Sequence, residues 1–387
     1  MQIRYFSTLV GVSLALVACS ADRPDGRDRA VQGDAGAAAV AVDPVDPPAR
    51  DAAGQAQALA LWGRGQAALE NAGTAAAVLQ SAVESMLEQP DAARLDAVRN
   101  AWEKSHEAYM RALPWLRLAF AAPEHALEGR AMLLQIDSWP VVPGYLDRVP
   151  GYPASGLVHD TALELTSGSL RKQHRLTADE EASLGFHVLE LLLWGATGER
   201  RAADFVAGSG GEAPQQAPAA RRRLLVQLVA GALAQDFERL GKRWPPLAND
   251  LSRPFLALDE RARLARVRSS GVALLEQEFI ARLPQSSESD VESPVATGTL
   301  VALVAMLDGL RDIWFGGGAE APSLLLETHR QEALQAGLNA LGEKLASLQS
   351  PIELEPVAQL NETRQLANQV AGILRGDPLE VGSGAPQ

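Results

Sequence analysis

Apolar residues recur along this chain at three- and four-residue steps. Leu95, Val98, Trp102, His106, Tyr109 and Leu113 form one such stripe, and Leu224, Leu228, Leu233, Phe237 and Leu240 a second. Leu300, Leu303, Leu307, Leu310 and Trp314 repeat the pattern, as do Leu334, Leu338, Leu341, Leu345 and Leu348. This is the period of a helix with one buried face. β-Branched runs are scarce, so the chain reads as all-α, with about four helices in each half.

Four stretches interrupt the period. Residues 20–56 are rich in Asp, Ala, Gly and Pro and read as a flexible linker. AGSGGEAPQQAPAA at 207–220 is the boundary candidate between the halves, PQSSESDVESP at 284–294 is a polar loop, and 376–387 is a tail. The expected organisation is a helical bundle at 57–206, a linker at 207–220 and a second bundle at 221–375. Arg221, Arg222 and Arg223 open a helix after that linker and are expected on a solvated face, with lipid headgroups as a further partner.

The N-terminus changes the picture. Arg4 precedes an apolar run from Tyr5 to Ala18, too short to span a bilayer comfortably and typical of an export signal. It ends in Leu16-Val17-Ala18-Cys19, which resembles a bacterial lipobox. Residues 1–19 are therefore expected to be a lipoprotein signal, with Cys19 acylated and anchoring the mature chain to a membrane. Ser20, rather than Asp, favours the outer over the inner membrane, facing the periplasm. Cys19 is the only cysteine, so there is no intramolecular disulfide, cysteine nucleophile or thiolate metal site. The net charge of −13 argues against a nucleic-acid partner, which requires clustered Lys and Arg.

The segment LTADEEASLGFHVLELLLWG (176–195) carries the candidate chemistry. Thr177 and Glu180 have capping-box spacing and Gly195 can close a helix, which predicts a helix from about Ala178 to Trp194. His187 and Glu190, three apart, share one face and can share a divalent or trivalent cation. Gly185 in a helix interior would cost about 1 kcal/mol relative to Ala, implying that another segment approaches the backbone there. The alternative is a His187–Glu190 hydrogen bond that only orders the core. The pair is not H-E-x-x-H, the zinc-protease pattern in which a glutamate is the base.

GFHVLELLLWG resembles the G-x-H-x-x-E signature of the imelysin family. AWEKSHEAY (101–109), IDSWP (136–140), SESD (287–290) and GLRDIWFGG (309–317) resemble further family segments, so the likeness covers about residues 57–375. It implies two helical, four-helix-bundle-like domains packed side by side, with the signature near their interface. Carried over, it places Gly185, His187 and Glu190 in the site and Asp137 nearby. One position departs: a Glu that many members carry on the first helix is Leu113 here, and His106 is the candidate substitute. His106 also lies on the apolar stripe, where a satisfied core histidine is the alternative. Asp204 is a further candidate for the site; His125, His159, His174 and His329 lack a partner at ligand spacing.

Three functions follow. The first is a non-enzymatic envelope lipoprotein that binds a metal, iron before zinc, and works with other iron-uptake envelope proteins. The second is a zinc metallopeptidase using H-x-x-E, which needs a third ligand and a general base. The third is a structural or partner-binding helical module without metal.

Overall fold

Asp91 opens the helix that becomes the centre of the molecule, its carboxylate accepting the Arg94 N–H at 2.8 Å. The structure, a computed structural model, describes residues 52–206, 216–246, 250–285, 292–293 and 295–378. The expected signal segment, Cys19, SESD at 287–290, most of the 207–220 linker and most of the tail lie outside these residues.

Helix α1 is Ala52–Glu88, α2 is Ala92–Phe120, α3 is Pro123–Ile136 and the short α4 is Pro143–Leu146. Ser167–Gln173 is α5, Phe186–Trp194 is α6, Pro218–Arg243 is α7 and Arg253–Leu256 is α8. Glu260–Leu274 is α9 and runs into a π-turn at Leu275–Phe279; Thr299–Phe315 is α10, Thr328–Ser347 is α11 and Val357–Arg375 is α12. Among the described residues there is no strand, only an isolated bridge between Val149 and Tyr152. No described helix is long and apolar enough to cross a membrane. The described helices all belong to one compact unit, Ala49–Gln387.

Three of the four predicted stripes are buried faces; on α7 Leu233, Phe237 and Leu240 are buried, Leu228 is half-buried and Leu224 is exposed. On α2 the stripe buries Leu95, Val98, Trp102, Tyr109 and Leu113. On α10 it buries Leu303, Leu307, Leu310 and Trp314, and on α11 Leu334, Leu338, Leu341 and Leu345. Helix α2 packs against α1, α3 and α6 from its own half and against α9 and α10 from the other. Contact with α10 is close because Gly309 has no side chain: a Cβ there would lie 2.2 Å from the Arg111 carbonyl oxygen. Trp62 and Trp244 stack at 4.6 Å, joining α1 to the end of α7.

Three local expectations change. The first helix starts at Ala52, inside the segment read as linker. Helix α6 starts at Phe186, not near Ala178, because Gly185 has φ +106°, outside the helical region; Thr177 Oγ1 bonds the Glu181 side chain instead of closing a capping box. Arg221 and Arg222 are buried, not solvated. The loop from α4 to α5 folds over the start of α7 with its carbonyls inward. Arg221 donates to the Leu157, Val158, Asp160 and Leu163 oxygens, and Arg222 to both oxygens of buried Asp147. Arg200 also donates to Asp147, at 2.7 Å, so one carboxylate holds two guanidiniums in the interior.

Candidate metal centre

Four segments bring one ligand-type side chain each to a single buried point. His106 comes from the middle of α2, Asp137 from the residue that ends α3, His187 from the first turn of α6, and Glu292 from the loop before α10. One donor atom from each lies within 4.8 Å of the others. His187 Nε2 is 3.0 Å from Asp137 Oδ1 and 3.7 Å from Glu292 Oε1; His106 Nε2 is 3.6 and 3.8 Å from the same oxygens.

Gly185 makes this convergence possible. A Cβ on it would lie 2.7 Å from the Ile136 carbonyl oxygen. Without that Cβ the end of α3 can lie against the start of α6, and Asp137 reaches His187. The close approach expected from a glycine here is found, at a helix N-terminus rather than a helix interior. Trp102 fixes the other imidazole: it stacks on His106 at 5.0 Å and donates its indole N–H to the Phe186 carbonyl at 2.8 Å.

Glu190 lies on the far side of His187. Its Oε2 accepts from His187 Nδ1 at 2.8 Å. Its Oε1 accepts from Ser293 Oγ at 3.0 Å, the Val295 N–H at 3.0 Å and the Ala296 N–H at 2.8 Å. Both oxygens are thus engaged, one by the imidazole and one by the loop that carries Glu292. With Nδ1–H donated to Glu190, the imidazole presents Nε2 to the cluster. A carboxylate behind a metal-binding histidine commonly sets its tautomer in this way. Spacing alone put His187 and Glu190 on one cation; the geometry sets Glu190 behind His187 and brings Glu292 to the front.

Arg282 closes the base of the cluster. It is 2 % exposed and donates to Asp137 Oδ2 at 2.6 Å and to the Glu292 and Glu278 carboxylates. Glu278 sits in the π-turn after α9, a distortion common at functional sites. Burial opposes ionisation of Asp137, but the His106 and His187 imidazoles and Arg282 hold it well below the usual carboxylate range. Burial alone would lower the His187 pKa; contacts with Asp137, Glu190 and Glu292 raise it well above the ordinary imidazole range.

Whether these residues fit a metal is answered by their unpaired atoms. His106 Nε2, His187 Nε2, Asp137 Oδ1 and Glu292 Oε2 are all buried with no hydrogen-bond partner. His187 Nε2 and Asp137 Oδ1 are close but poorly aligned, so the 3.0 Å contact is not a satisfied hydrogen bond. Three of them, His106 Nε2, His187 Nε2 and Asp137 Oδ1, meet at one point, where the Glu292 oxygen that faces them is Oε1, shared with Arg282; orphaned buried atoms so placed are costly unless a common partner serves them. An ion bound at about 2.0–2.2 Å by imidazole and carboxylate would hold its donors roughly 3–3.5 Å apart, near the separations found. Once the histidines give up any proton to a bound ion, Asp137, Glu190 and Glu292 against Arg282 leave an excess of two negative charges, which a divalent cation would balance.

The remaining candidates lie elsewhere. Asp204 pairs with Arg148 at 2.8 Å. His125 faces Asp250, His159 faces Asp147, and His329 is exposed beside Glu327. His174 is partly buried, hydrogen-bonded to the Leu134 carbonyl at 3.1 Å and the Ser183 N–H at 3.3 Å. Leu113 is a core residue. Glu292 was missed because it lies in a polar stretch without periodicity, 102 residues after Glu190; only the neighbouring Ser-Asp likeness pointed to that loop.

A family model described as imelysin matches residues 65–375. Among solved structures, an imelysin-like protein from Psychrobacter arcticum 273-4 is similar with a TM-score of 0.61 at 14% identity, covering 84% of this chain and 94% of that one. A putative iron-regulated protein A precursor from Parabacteroides distasonis ATCC 8503 is similar with a TM-score of 0.57 at 12% identity, covering 86% and 96%. No curated protein matches.

Proposed function

The chain belongs to the imelysin family, and from that premise we propose that it is a lipid-anchored envelope protein that binds one first-row transition-metal ion, iron, through His106, Asp137, His187 and Glu292. The carrying observation is the convergence of three unpartnered buried ligand atoms, His106 Nε2, His187 Nε2 and Asp137 Oδ1, with the Glu292 carboxylate on one point. The ion, when bound, supplies the positive charge that two buried carboxylates and two imidazole nitrogens lack. Two imidazoles with two carboxylates suit iron, zinc or manganese alike. The similar P. distasonis protein is named iron-regulated, which supports iron as the ion.

The chain's own residues then have distinct tasks. Glu190 holds the His187 tautomer and pins the Glu292 loop. Arg282 orients Asp137 and Glu292 by taking one oxygen of each. Trp102 keeps the His106 ring in place. A peptidase would need an acid free to act as base, and Glu190 has both oxygens occupied. That supports a binding rather than a hydrolytic role. The anchor at Cys19 would keep the site at the outer membrane facing the periplasm, where iron-uptake proteins would be its partners.

The test is metal analysis of the purified full chain. One equivalent of iron per chain, lost in His187→Ala and in Asp137→Ala with helicity retained, is expected. Full-stoichiometry binding in both variants would overturn the assignment.

A further inference from the structure

A cavity of about 700 Å³ lies beside the cluster, with Asp137 on its wall. The volume is within the roughly 300–1,000 Å³ range of small-molecule sites. It is bounded by the C-terminal part of α2, one face of α3, and the end of α9 with the π-turn that follows.

We propose that this cavity binds a small polycarboxylate, held by the arginines of its rim beside the ion that the cluster takes up. The inference rests on the metal reading above and names the ligand class of that site. Arg130 is exposed on the rim and has no ion pair or hydrogen bond among the described residues. Arg117 also lines the cavity. It donates to Glu278 at 2.6 Å and to Gln277 at 3.1 Å, while its Nε is buried without a partner. Tyr109, 1 % exposed, presents a phenol to the same wall with no hydrogen-bond partner among the described residues. Asp137, 6 % exposed, has its unpartnered Oδ1 in the cluster.

The charges favour an anion once the ion is in place. The two carboxylates on the wall are already matched, Asp137 by Arg282 and Glu278 by Arg117. Arg130 remains as unmatched positive charge, and a bound cation adds more. A ligand with several carboxylates can meet Arg130 and Arg117, where charge-assisted hydrogen bonds are strong and directional, while the charge of the ion behind Asp137 attracts it further. Binding of ion and anion must then be mutually reinforcing by the same factor in each direction.

The test uses the full chain, iron, and labelled citrate as the probe, in two stages. Iron alone is titrated first, which reads the metal site by itself. Equilibrium dialysis of citrate against iron-loaded and iron-free protein follows, with iron counted on both sides of the membrane. One citrate retained per loaded chain is expected, with affinity about tenfold or more above that of the iron-free protein. Arg130→Glu should lower citrate affinity about tenfold or more while leaving iron affinity unchanged. Arg117→Gln should weaken citrate in the same direction. If iron binds and citrate is not retained, or only strips the iron into solution, the inference fails and the metal reading stands. Citrate binding unaffected by Arg130→Glu and Arg117→Gln also refutes it. If iron does not bind, the metal reading and the ligand beside it fall together, and the first titration identifies that cause.

Discussion

Replacing Glu190 separates the geometry described here from the simpler view that His187 and Glu190 chelate the ion together. The carboxylate is fully buried and accepts four hydrogen bonds, from His187 Nδ1, Ser293 Oγ and the Val295 and Ala296 N–H groups. Glu190→Ala leaves these donors without an acceptor. Each buried orphan costs about 1–3 kcal/mol, so with partial relaxation a stability loss of about 3–5 kcal/mol is expected. Glu190→Gln keeps the volume and one carbonyl oxygen, but its amide cannot accept from His187 and the loop with equal strength. It should therefore lose iron affinity about 10–100-fold, the usual effect of removing a group that orients a ligand. Asp137→Ala and Glu292→Ala remove donors outright and should lose more. The assay is competition titration of iron with a colorimetric chelator, alongside urea unfolding of each variant. If Glu190→Gln abolishes binding while Glu292→Ala leaves wild-type affinity, Glu190 is a direct ligand and the assignment is refuted.

Four further outcomes follow. Gly185→Ala places a Cβ 2.7 Å from the Ile136 oxygen at a backbone with φ +106°; it should cost about 1–3 kcal/mol by strain and weaken iron binding by displacing Asp137, read by thermal unfolding and titration. Burial, with Arg175 and Arg171 nearby, pushes the His174 pKa down to about 4; the unfolded chain therefore binds the extra proton between pH 6.5 and 4, and stability should fall by about 2–3 kcal/mol as pH drops through that window. His174→Gln should remove that slope, and an unchanged slope in urea midpoints between pH 7 and 4.5 would contradict the assignment. Asp147→Ala strands the buried Arg200 and Arg222 and should cost about 3–5 kcal/mol in urea unfolding. Cys19→Ala should abolish fatty-acid labelling and signal cleavage; a labelled variant would place the anchor elsewhere.

Helices were legible because burying one face of each imposes its own period, and the stripes of α2, α10 and α11 are buried as read. Helix starts were less so. Thr177 and Glu180 satisfy a capping pattern locally, yet the φ of Gly185 and its contact with Ile136 move the start to Phe186. Arg221 and Arg222 look solvated in sequence, because nothing local shows that the carbonyls of Leu157, Val158 and Asp160 fold over Arg221 or that Asp147 reaches Arg222. In the site, His187 and Gly185 were readable from spacing, and Asp137 and His106 through the family likeness. Glu292 was not, because a loop residue has no periodicity and its role arises only when Glu190 fixes the loop. The spacing placed Glu190 beside His187 correctly but could not distinguish a carboxylate in front of the ring from one behind it.

The most direct measurement is anomalous diffraction at the iron edge from crystals of the iron-loaded protein. One peak is predicted, about 2.0–2.2 Å from His106 Nε2, His187 Nε2 and the nearest oxygens of Asp137 and Glu292, with Glu190 bonded only to His187 Nδ1 and the 293–296 loop. Absence of a peak at this cluster in iron-loaded crystals, or a peak coordinated by Glu190 instead of Glu292, would contradict the account.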